Sequence, residues 1–442
     1  VRKIPRLAAV SSQSMVSVIL VNPRGPEEVT VSDVFTFNTL VYDQGWHPKT
    51  GTVDAAWQAV QGGPAPSGET PIAGWSIEDV ADAPALRAAF VSPGGVVPHA
   101  VRVTPDRFPH WRPALSRVRL GLGDAKLLVI SDSTAMGDDD LAAPGHSWPN
   151  NLASLIGDGA TPAAIGLATP PLPGSVDSRW TAGAGWPSDR NLGFALKAWQ
   201  AVAPAGALVY GDPRVTADRF DVYYATNYPF GSITVQATGG AAQTINCSGD
   251  PGIAKVTVSA AGAATTNTVS ITATGDQVFI CGVEPWLSTR STVRVGNGGV
   301  ASSSTDTWIA STPFFGGLES IKAYAPDLAI VCLGTNDAIN NAPPDRYLSQ
   351  LQQIIDAAAV SGDVAVMTNV PAQESALVTL QAQYANAVRG LTTLPLIDLF
   401  DRCGGTWDTL NGLGFMIDQH HPNPAGHWDV AGFVKAALAQ AH

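Results

Sequence analysis

The hydrophobic positions of this chain fall into three textures. In residues 1–115, short alternating stretches such as MVSVILV and EEVTVSDVFTF are separated by Gly and Pro turns, and GGPAPSGETP reads as a loop. Alternation marks half-buried strands, so a small β-rich N-terminal domain is expected, with one helix at SIEDVADAPALRAAFV. After this the pattern changes. AKLLVIS and LAIVCLG are apolar runs with the pattern of strands buried on both faces, and DVAVMTNV and LPLIDLF read as further strands. Between and after them lie helical patterns: SWPNNLASLIG, PDRYLSQLQQIIDAAAVSG, SALVTLQAQYANAVRGL and GHWDVAGFVKAALAQ. RNLGFALKAWQAV is predicted as a further helix. Strands alternating with helices specify the α/β class, a parallel sheet covered on both faces.

The third texture interrupts the second. DRFDVYYAT, GSITVQATGG, IAKVTVSAAG, TNTVSITATG and DQVFICGVE are rich in Val, Ile, Thr and aromatics and are bounded by Gly, Asn or Asp. Short strands at such spacing predict an antiparallel β-sandwich or jelly roll over 211–289. Four segments follow: a β-rich domain at 1–115, an α/β domain in two parts at 116–210 and 290–442, and an inserted sandwich between the parts.

Composition narrows the class. The 442 residues are 45% hydrophobic and 14% charged, with a net charge of −12. That balance argues against a nucleic-acid partner, which needs clustered Lys and Arg. No apolar run is long enough for a membrane span. The start, VRKIPRLAAVSSQSMVSVILV, has its apolar part broken by SSQS and is read as no signal peptide. The four cysteines lack CxxC spacing. Cys247 and Cys281 either pair or remain buried thiols.

In open parallel sheets, sites form beyond the C-terminal ends of the strands. That rule selects three loops. The first, after AKLLVIS, holds Ser131, Asp132, Ser133 and Thr134; a serine there is either a helix cap or a nucleophile. The second, GTND, holds Asn336, either a turn residue or an amide donor to a developing oxyanion. The third, DQHHPNPAGH, concentrates three of the chain's 8 histidines. It is a metal site, a base with its orienting acid, or a solvated turn. The three-residue spacing of Asp418 and His421 lets a carboxylate reach an imidazole nitrogen. Pro422 and Pro424 break the helix a paired-His zinc site would use, and HExxH is absent. The acidic run Asp138–Asp140 lacks EF-hand spacing and reads as a solvated loop. VDSRW (176–180) and AGAGW (182–186) either line a substrate cleft or pack.

Together the three loops resemble the SGNH, or GDSL-type, hydrolase family. ISDST matches the first block with Ser133 as nucleophile and Ser131 where Gly is usual; GTND matches the third with Asn336; DQHHPNPAGH matches the fifth with Asp418 and His421. HSWPNNLASLIG is also similar to the family. The second block, N-x-G-x-x-G, is matched by Asn297 and Gly299 in VGNGGVASSSTDTW, but Ser302 stands where the last Gly belongs. The resemblance covers 116–210 and 290–442. It implies a flavodoxin-like three-layer fold and a Ser133–His421–Asp418 triad. The oxyanion would meet the N–H groups of Ser133 and Ser302 and the Asn336 amide. No metal or organic cofactor is implied.

The layout is similar to SGNH proteins encoded by phages of actinobacteria as minor tail proteins. On that resemblance the expected location is the virion tail, the partners other tail proteins, and the substrate an ester in bacterial envelope lipid or polysaccharide. A secreted or cytoplasmic bacterial esterase or carbohydrate acetyl-esterase is the alternative. A non-catalytic structural or glycan-binding tail protein is the alternative from another class.

Overall fold

The computed structural model describes residues 18–21, 28–31, 47–48, 101–102, 105–137, 147–157, 163–171, 177–190, 192–201, 205–262, 266–311 and 314–439. The chain forms two compact units, Val1–His99 and Ala100–His442. In the first, Val18–Val21 pairs antiparallel with Glu28–Val31 and with His47–Pro48. The helix expected at SIEDVADAPALRAAFV lies outside the described residues.

The second unit starts earlier than the expected boundary at 115. Helix Trp111–Arg119 belongs to it, burying Trp111, Ala114, Leu115 and Val118. Its first turn is tied to the α/β core by Asp363, whose Oδ2 accepts from the backbone N–H groups of His110 and Trp111 at 2.9 and 2.7 Å. Carboxylates are favoured at a helix N-terminus because the free N–H groups there need acceptors.

The main sheet has seven strands in the order Val101–Arg102, Leu396–Ile397, Asp363–Met367, Leu328–Cys332, Ala125–Ser131, Val293–Gly299, Ala163–Ile165. All neighbours are parallel except the edge strand Val101–Arg102. Counted from Ala125–Ser131 and leaving the Ala163–Ile165 edge aside, the order is the flavodoxin-like 2-1-3-4-5. Leu328–Cys332 and Asp363–Met367 are buried at every position, as doubly covered strands must be. Each buried Leu, Ile or Val there contributes about 1.5–3 kcal/mol relative to exposure.

Register sets the level of the three loops. Ser131 lies opposite Gly299 on one side and Cys332 on the other. The chain therefore leaves three adjacent strands at one height, and the segments beginning at Asp132, Val300 and Leu333 emerge side by side.

Between Ala163–Ile165 and Val293–Gly299 the chain builds two five-stranded antiparallel sheets. One runs Gln243–Asn246, Ser232–Ala237, Val269–Thr274, Leu208–Tyr210, Trp180–Ala182; the other runs Gly252–Ser259, Arg219–Thr226, Val278–Trp286, Lys197–Ala201, Ser188–Arg190. Ile233, Val235, Ile271 and Tyr210 from the first share a core with Phe220, Val222, Tyr224 and Ile280 from the second. The outer side of the second sheet, through Ala198, Tyr223, Ala225 and Cys281, joins the core of the parallel sheet around Leu128, Ile130 and Tyr324.

These sheets differ from expectation in two ways. They begin at Trp180 rather than 211. And the segment predicted as a helix, RNLGFALKAWQAV, forms a 3-10 turn at Phe194–Leu196 followed by the strand Lys197–Ala201. Pairing of that strand with Val278–Ile280 and Ser188–Arg190 outweighs the local helical pattern. Cys247 and Cys281 are separate buried thiols. Burial pushes them up to about 11 and about 12.

Candidate active site

Ser133 opens a four-residue helix, Ser133–Met136. The cap is the residue before it. Asp132 is fully buried, and its Oδ1 accepts from the Thr134 N–H at 2.9 Å and the Thr134 hydroxyl at 2.7 Å. The helix N-terminus is thereby satisfied without Ser133, whose half-buried side chain is left for another partner. Burial raises the Asp132 carboxyl above its usual range, the Thr134 bonds offsetting part of the rise. Ser131 is fully buried in the strand.

The partner comes from the far end of the chain. His421 Nε2 lies 2.9 Å from Ser133 Oγ, and His421 Nδ1 lies 2.8 Å from Asp418 Oδ2. Asp418 Oδ1 accepts from the backbone N–H groups of His420 and His421, both at 2.7 Å. Partial burial opposes ionisation of Asp418. The His420 N–H bond, the imidazole and the His421 N–H outweigh it and hold the carboxyl below its usual range.

The loop is fixed by Asn423. Its Nδ2 donates to Gly414 O at 2.7 Å, its N–H to Phe415 O at 2.8 Å, and its Oδ1 accepts from Gly426 N–H at 3.0 Å. Helix Pro424–Ala439 follows immediately, with His427 buried in its first turn. His420 faces a different neighbour: its Nε2 lies 3.0 Å from Glu374 Oε2. Among the described residues no three His, Cys, Asp or Glu side chains are grouped to hold a metal ion. No helix there is long and apolar enough to cross a membrane.

Ser302 sits in the turn that leaves strand Val293–Gly299. Val300 N–H donates to Ser131 O at 3.1 Å, Ser303 Oγ to the same oxygen at 3.3 Å, and Ser303 N–H to Val300 O at 3.2 Å. Ser302 is exposed and has φ +61°, the left-handed region that glycine adopts without strain. Serine thus occupies a glycine conformation. Asn297 ties this turn to the Ser133 helix: its Nδ2 donates to Ala135 O at 3.1 Å and Ser147 Oγ at 3.0 Å, while its Oδ1 accepts from Gly299 N–H at 2.8 Å. Gly299 cannot carry a side chain, because a Cβ would lie 2.5 Å from Met136 N.

Asn336 is the second residue of helix Thr335–Ile339 and is half-buried. Its Nδ2 donates to Ser303 O at 3.0 Å, which joins the second loop to the Ser302 turn. Gly334 precedes it at φ +140°, with Asn369 Oδ1 2.6 Å from where a Cβ would stand. Asp337 locks the same junction. Both its oxygens accept from Thr305 N–H at 3.1 Å, and its Oδ1 accepts from the Thr305 hydroxyl. Burial raises the Asp337 carboxyl.

All the residues singled out in the three loops are therefore brought to one end of the parallel sheet. The large side chains of VDSRW and AGAGW pack: Arg179 pairs with Asp177 at 2.6 Å with both side chains buried, and Trp180 and Trp186 lie in the sandwich core. Val176 and Asp138–Asp140 lie outside the described residues. Asp132, Asp337 and Asn423 lie within the three motifs, but their roles are caps and staples that residue type alone does not announce.

Residues 270–428 match the family model for the GDSL-like lipase/acylhydrolase family. This stretch of the chain is thus similar to GDSL-like hydrolases. The matched stretch holds Ser302, Asn336, Asp418 and His421. Ser133 lies before it and joins the domain through the parallel sheet, since its strand lies between Leu328–Cys332 and Val293–Gly299. On the family match the domain is a carboxylic ester hydrolase.

A solved structure of a peptidoglycan O-acetylesterase aligns with a TM-score of 0.59 at 17% identity, covering 76% of this chain and 96% of that one, which shows a shared fold. A family two carbohydrate esterase from Cellvibrio japonicus aligns at 0.25 and 11% identity over 62% and 97% of the two chains. An acetylxylan esterase from Geobacillus stearothermophilus aligns at 0.27 and 16% over 34% and 74%. No curated protein sequence matches this chain.

Proposed function

We propose that the GDSL-like hydrolase domain of this chain cleaves O-acyl esters of bacterial envelope glycan or lipid through an acyl-enzyme on Ser133. The observation that carries this reading is the continuous relay Asp418 Oδ2, His421, Ser133 Oγ, with 2.8 and 2.9 Å steps. His421 Nε2 takes the hydroxyl proton as Ser133 Oγ attacks the ester carbonyl carbon. Asp418, ionised, holds the imidazole orientation and stabilises the imidazolium. The oxyanion is met by the Ser133 N–H, the Ser302 N–H and the second N–H of the Asn336 amide, whose first already goes to Ser303 O. The imidazolium then protonates the leaving alcohol, water enters with His421 as base, and the carboxylic acid departs.

The envelope glycan part of the reading is supported by the fold shared with a peptidoglycan O-acetylesterase and by two β-sheets packed beside the hydrolase core. In this reading the chain is a phage tail component, the N-terminal unit serves attachment to other tail proteins and the sandwich contacts the glycan.

A fluorophosphonate probe tests the chemistry. Wild type labels, and Ser133→Ala and His421→Ala do not. Release of acetate from O-acetylated peptidoglycan, compared with p-nitrophenyl esters of increasing chain length, then assigns the substrate. Absence of labelling in folded wild type would favour the structural or glycan-binding alternative. Absence of the protein from purified virions would remove the tail assignment.

A further inference from the structure

Lys197 is the first residue of the sandwich strand Lys197–Ala201 and is 1% exposed. A buried ammonium is costly unless it is matched by polar partners. Asp177 does not supply that match: Arg179 Nε and Nη2 already meet its two oxygens at 2.9 and 2.6 Å. Lys197 Nζ reaches instead out of the sandwich and donates to the carbonyl oxygen of Gly299 at 3.5 Å.

Gly299 is the last residue before the turn that carries Ser302. Its N–H is held by Asn297, its Cα lies against the Met136 backbone, and its carbonyl faces Lys197. The next N–H, Val300, is fixed to Ser131 O. The orientation of the Gly299–Val300 peptide therefore sets where the rest of the turn points. Beneath it is a cavity of about 10 Å³, room for one water, lined by Met136, Asn150, Thr169, Lys197, Asn297 and Gly299 among others.

We propose that Lys197 is a positioning residue: from the sandwich it holds the Gly299 carbonyl so that the following turn presents the Ser302 N–H to the oxyanion formed at Ser133. This rests on the reading of Ser302 as an oxyanion donor. It gives the sandwich a role in the reaction itself, beyond any part in binding.

Burial lowers Lys197 to about 8, Asp177 raising it and Arg179 lowering it further. Those two are the charged groups that face it. The strand Val293–Gly299 and the helices Ser133–Met136 and Trp148–Ile156 present the neutral Asn297, Met136 and Asn150 to the same cavity. The holding charge is thus lost as pH rises through about 8, and the turn loosens on the alkaline side.

The test is a kcat and KM profile from pH 6.5 to pH 9.5 on p-nitrophenyl acetate, with fluorophosphonate labelling alongside, for wild type, Lys197→Met and Lys197→Arg. Wild type should lose kcat above about pH 8 at constant KM. Lys197→Met should show kcat reduced about tenfold at pH 7, an unchanged KM and no further alkaline fall. Lys197→Arg, whose charge does not titrate in this range, should keep most of kcat and also lack the alkaline fall. An alkaline fall retained in Lys197→Arg, or its absence in wild type, overturns the proposal even if Lys197→Met does not fold. A kcat within twofold of wild type in folded Lys197→Met overturns it too. Labelling separates the two levels: an unlabelled wild type refutes the serine-hydrolase reading itself, whereas labelled proteins with unaltered profiles refute only the role of Lys197.

Discussion

Arg294 Nη1 donates to Glu284 Oε2 at 2.9 Å, joining the strand Val293–Gly299 of the parallel sheet to the sandwich strand Val278–Trp286. Glu284 is fully buried; its Oε1 accepts from the Tyr324 hydroxyl at 2.7 Å, and Lys126 Nζ lies 3.6 Å from its Oε2. Two layers of different architecture are thus joined by a buried ionic network as well as by apolar packing. Glu284→Ala leaves Arg294 buried beside a void, with Asp124 Oδ2 at 3.3 Å as its remaining ionic partner. It should cost about 3–5 kcal/mol, the range for removing one member of a buried pair. Urea unfolding measures this. The double variant Glu284→Leu, Arg294→Met should recover part of the loss, because replacing both charges removes the desolvation cost along with the attraction.

Ser302 occupies a conformation that costs a non-glycine residue about 1–2 kcal/mol. Ser302→Gly relieves that strain but adds unfolded-state freedom worth about 0.5–1 kcal/mol. The net effect should be neutral to about 1 kcal/mol stabilising by thermal or urea unfolding. Only the backbone N–H of this residue is assigned a function, so kcat should stay within about threefold, a shift of less than 1 kcal/mol in barrier. Ser302→Val, β-branched at the same φ, should destabilise the protein instead.

Asn336 donates to Ser303 O and is assigned the oxyanion with its remaining N–H. Asn336→Ala should lower kcat by about 10²–10³ with a small change in KM, as expected for a donor used in the transition state. A rise in KM alone would place the amide in ground-state binding.

How far the chain announces this arrangement can be judged from individual segments. Ala125–Ser131 and Leu328–Cys332 are legible because a strand buried on both faces needs an unbroken apolar run, and little else produces one. Asp418 and His421 are legible because the carboxylate and the imidazole that meet are three residues apart. Lys197–Ala201 is illegible for the opposite reason. KAWQA has no β-branched residue, and its strand state comes from partners at Val278–Ile280, far along the chain. The same holds for the three-residue strands Trp180–Ala182 and Leu208–Tyr210, too short to show a period. Lys197 is hidden for a further reason: nothing in RNLGFALKAWQAV distinguishes a lysine that reaches a buried carbonyl from one on a solvated helix face.

Asp221 makes an acid-stability prediction. Burial opposes its ionisation, but the Thr257 hydroxyl, the Lys255 ammonium and the Trp286 indole N–H outweigh that and hold the carboxyl below its usual range. A carboxyl lowered in the folded state adds stability above its unfolded value of about 4 and loses it as pH falls through the folded one. Wild type should therefore lose stability as pH falls below about 4 more steeply than Asp221→Asn. At pH 7 the variant should be the less stable protein. Urea midpoints across that range supply both comparisons.

Asp418 is the residue for which a change of one atom type is most informative. Its Oδ1 serves the backbone of His420 and His421, and its Oδ2 serves the imidazole. Asp418→Asn can keep the backbone bonds through its carbonyl oxygen, so the loop held by Asn423 should persist and the melting temperature should move little. What it cannot keep is an acceptor at the imidazole. The amide N–H there favours the tautomer with the proton on Nε2, which then cannot accept from Ser133 Oγ. The variant should fold and still bind ester, with kcat down by about 10³–10⁴ and fluorophosphonate labelling slowed in proportion. Because Asp418 is held in its ionised form well into the acid range, the acid limb of the wild-type rate should not follow this carboxyl. A melting temperature that falls together with kcat would instead make Asp418 chiefly a structural staple of its loop. An unchanged kcat would mean that His421 acts without it.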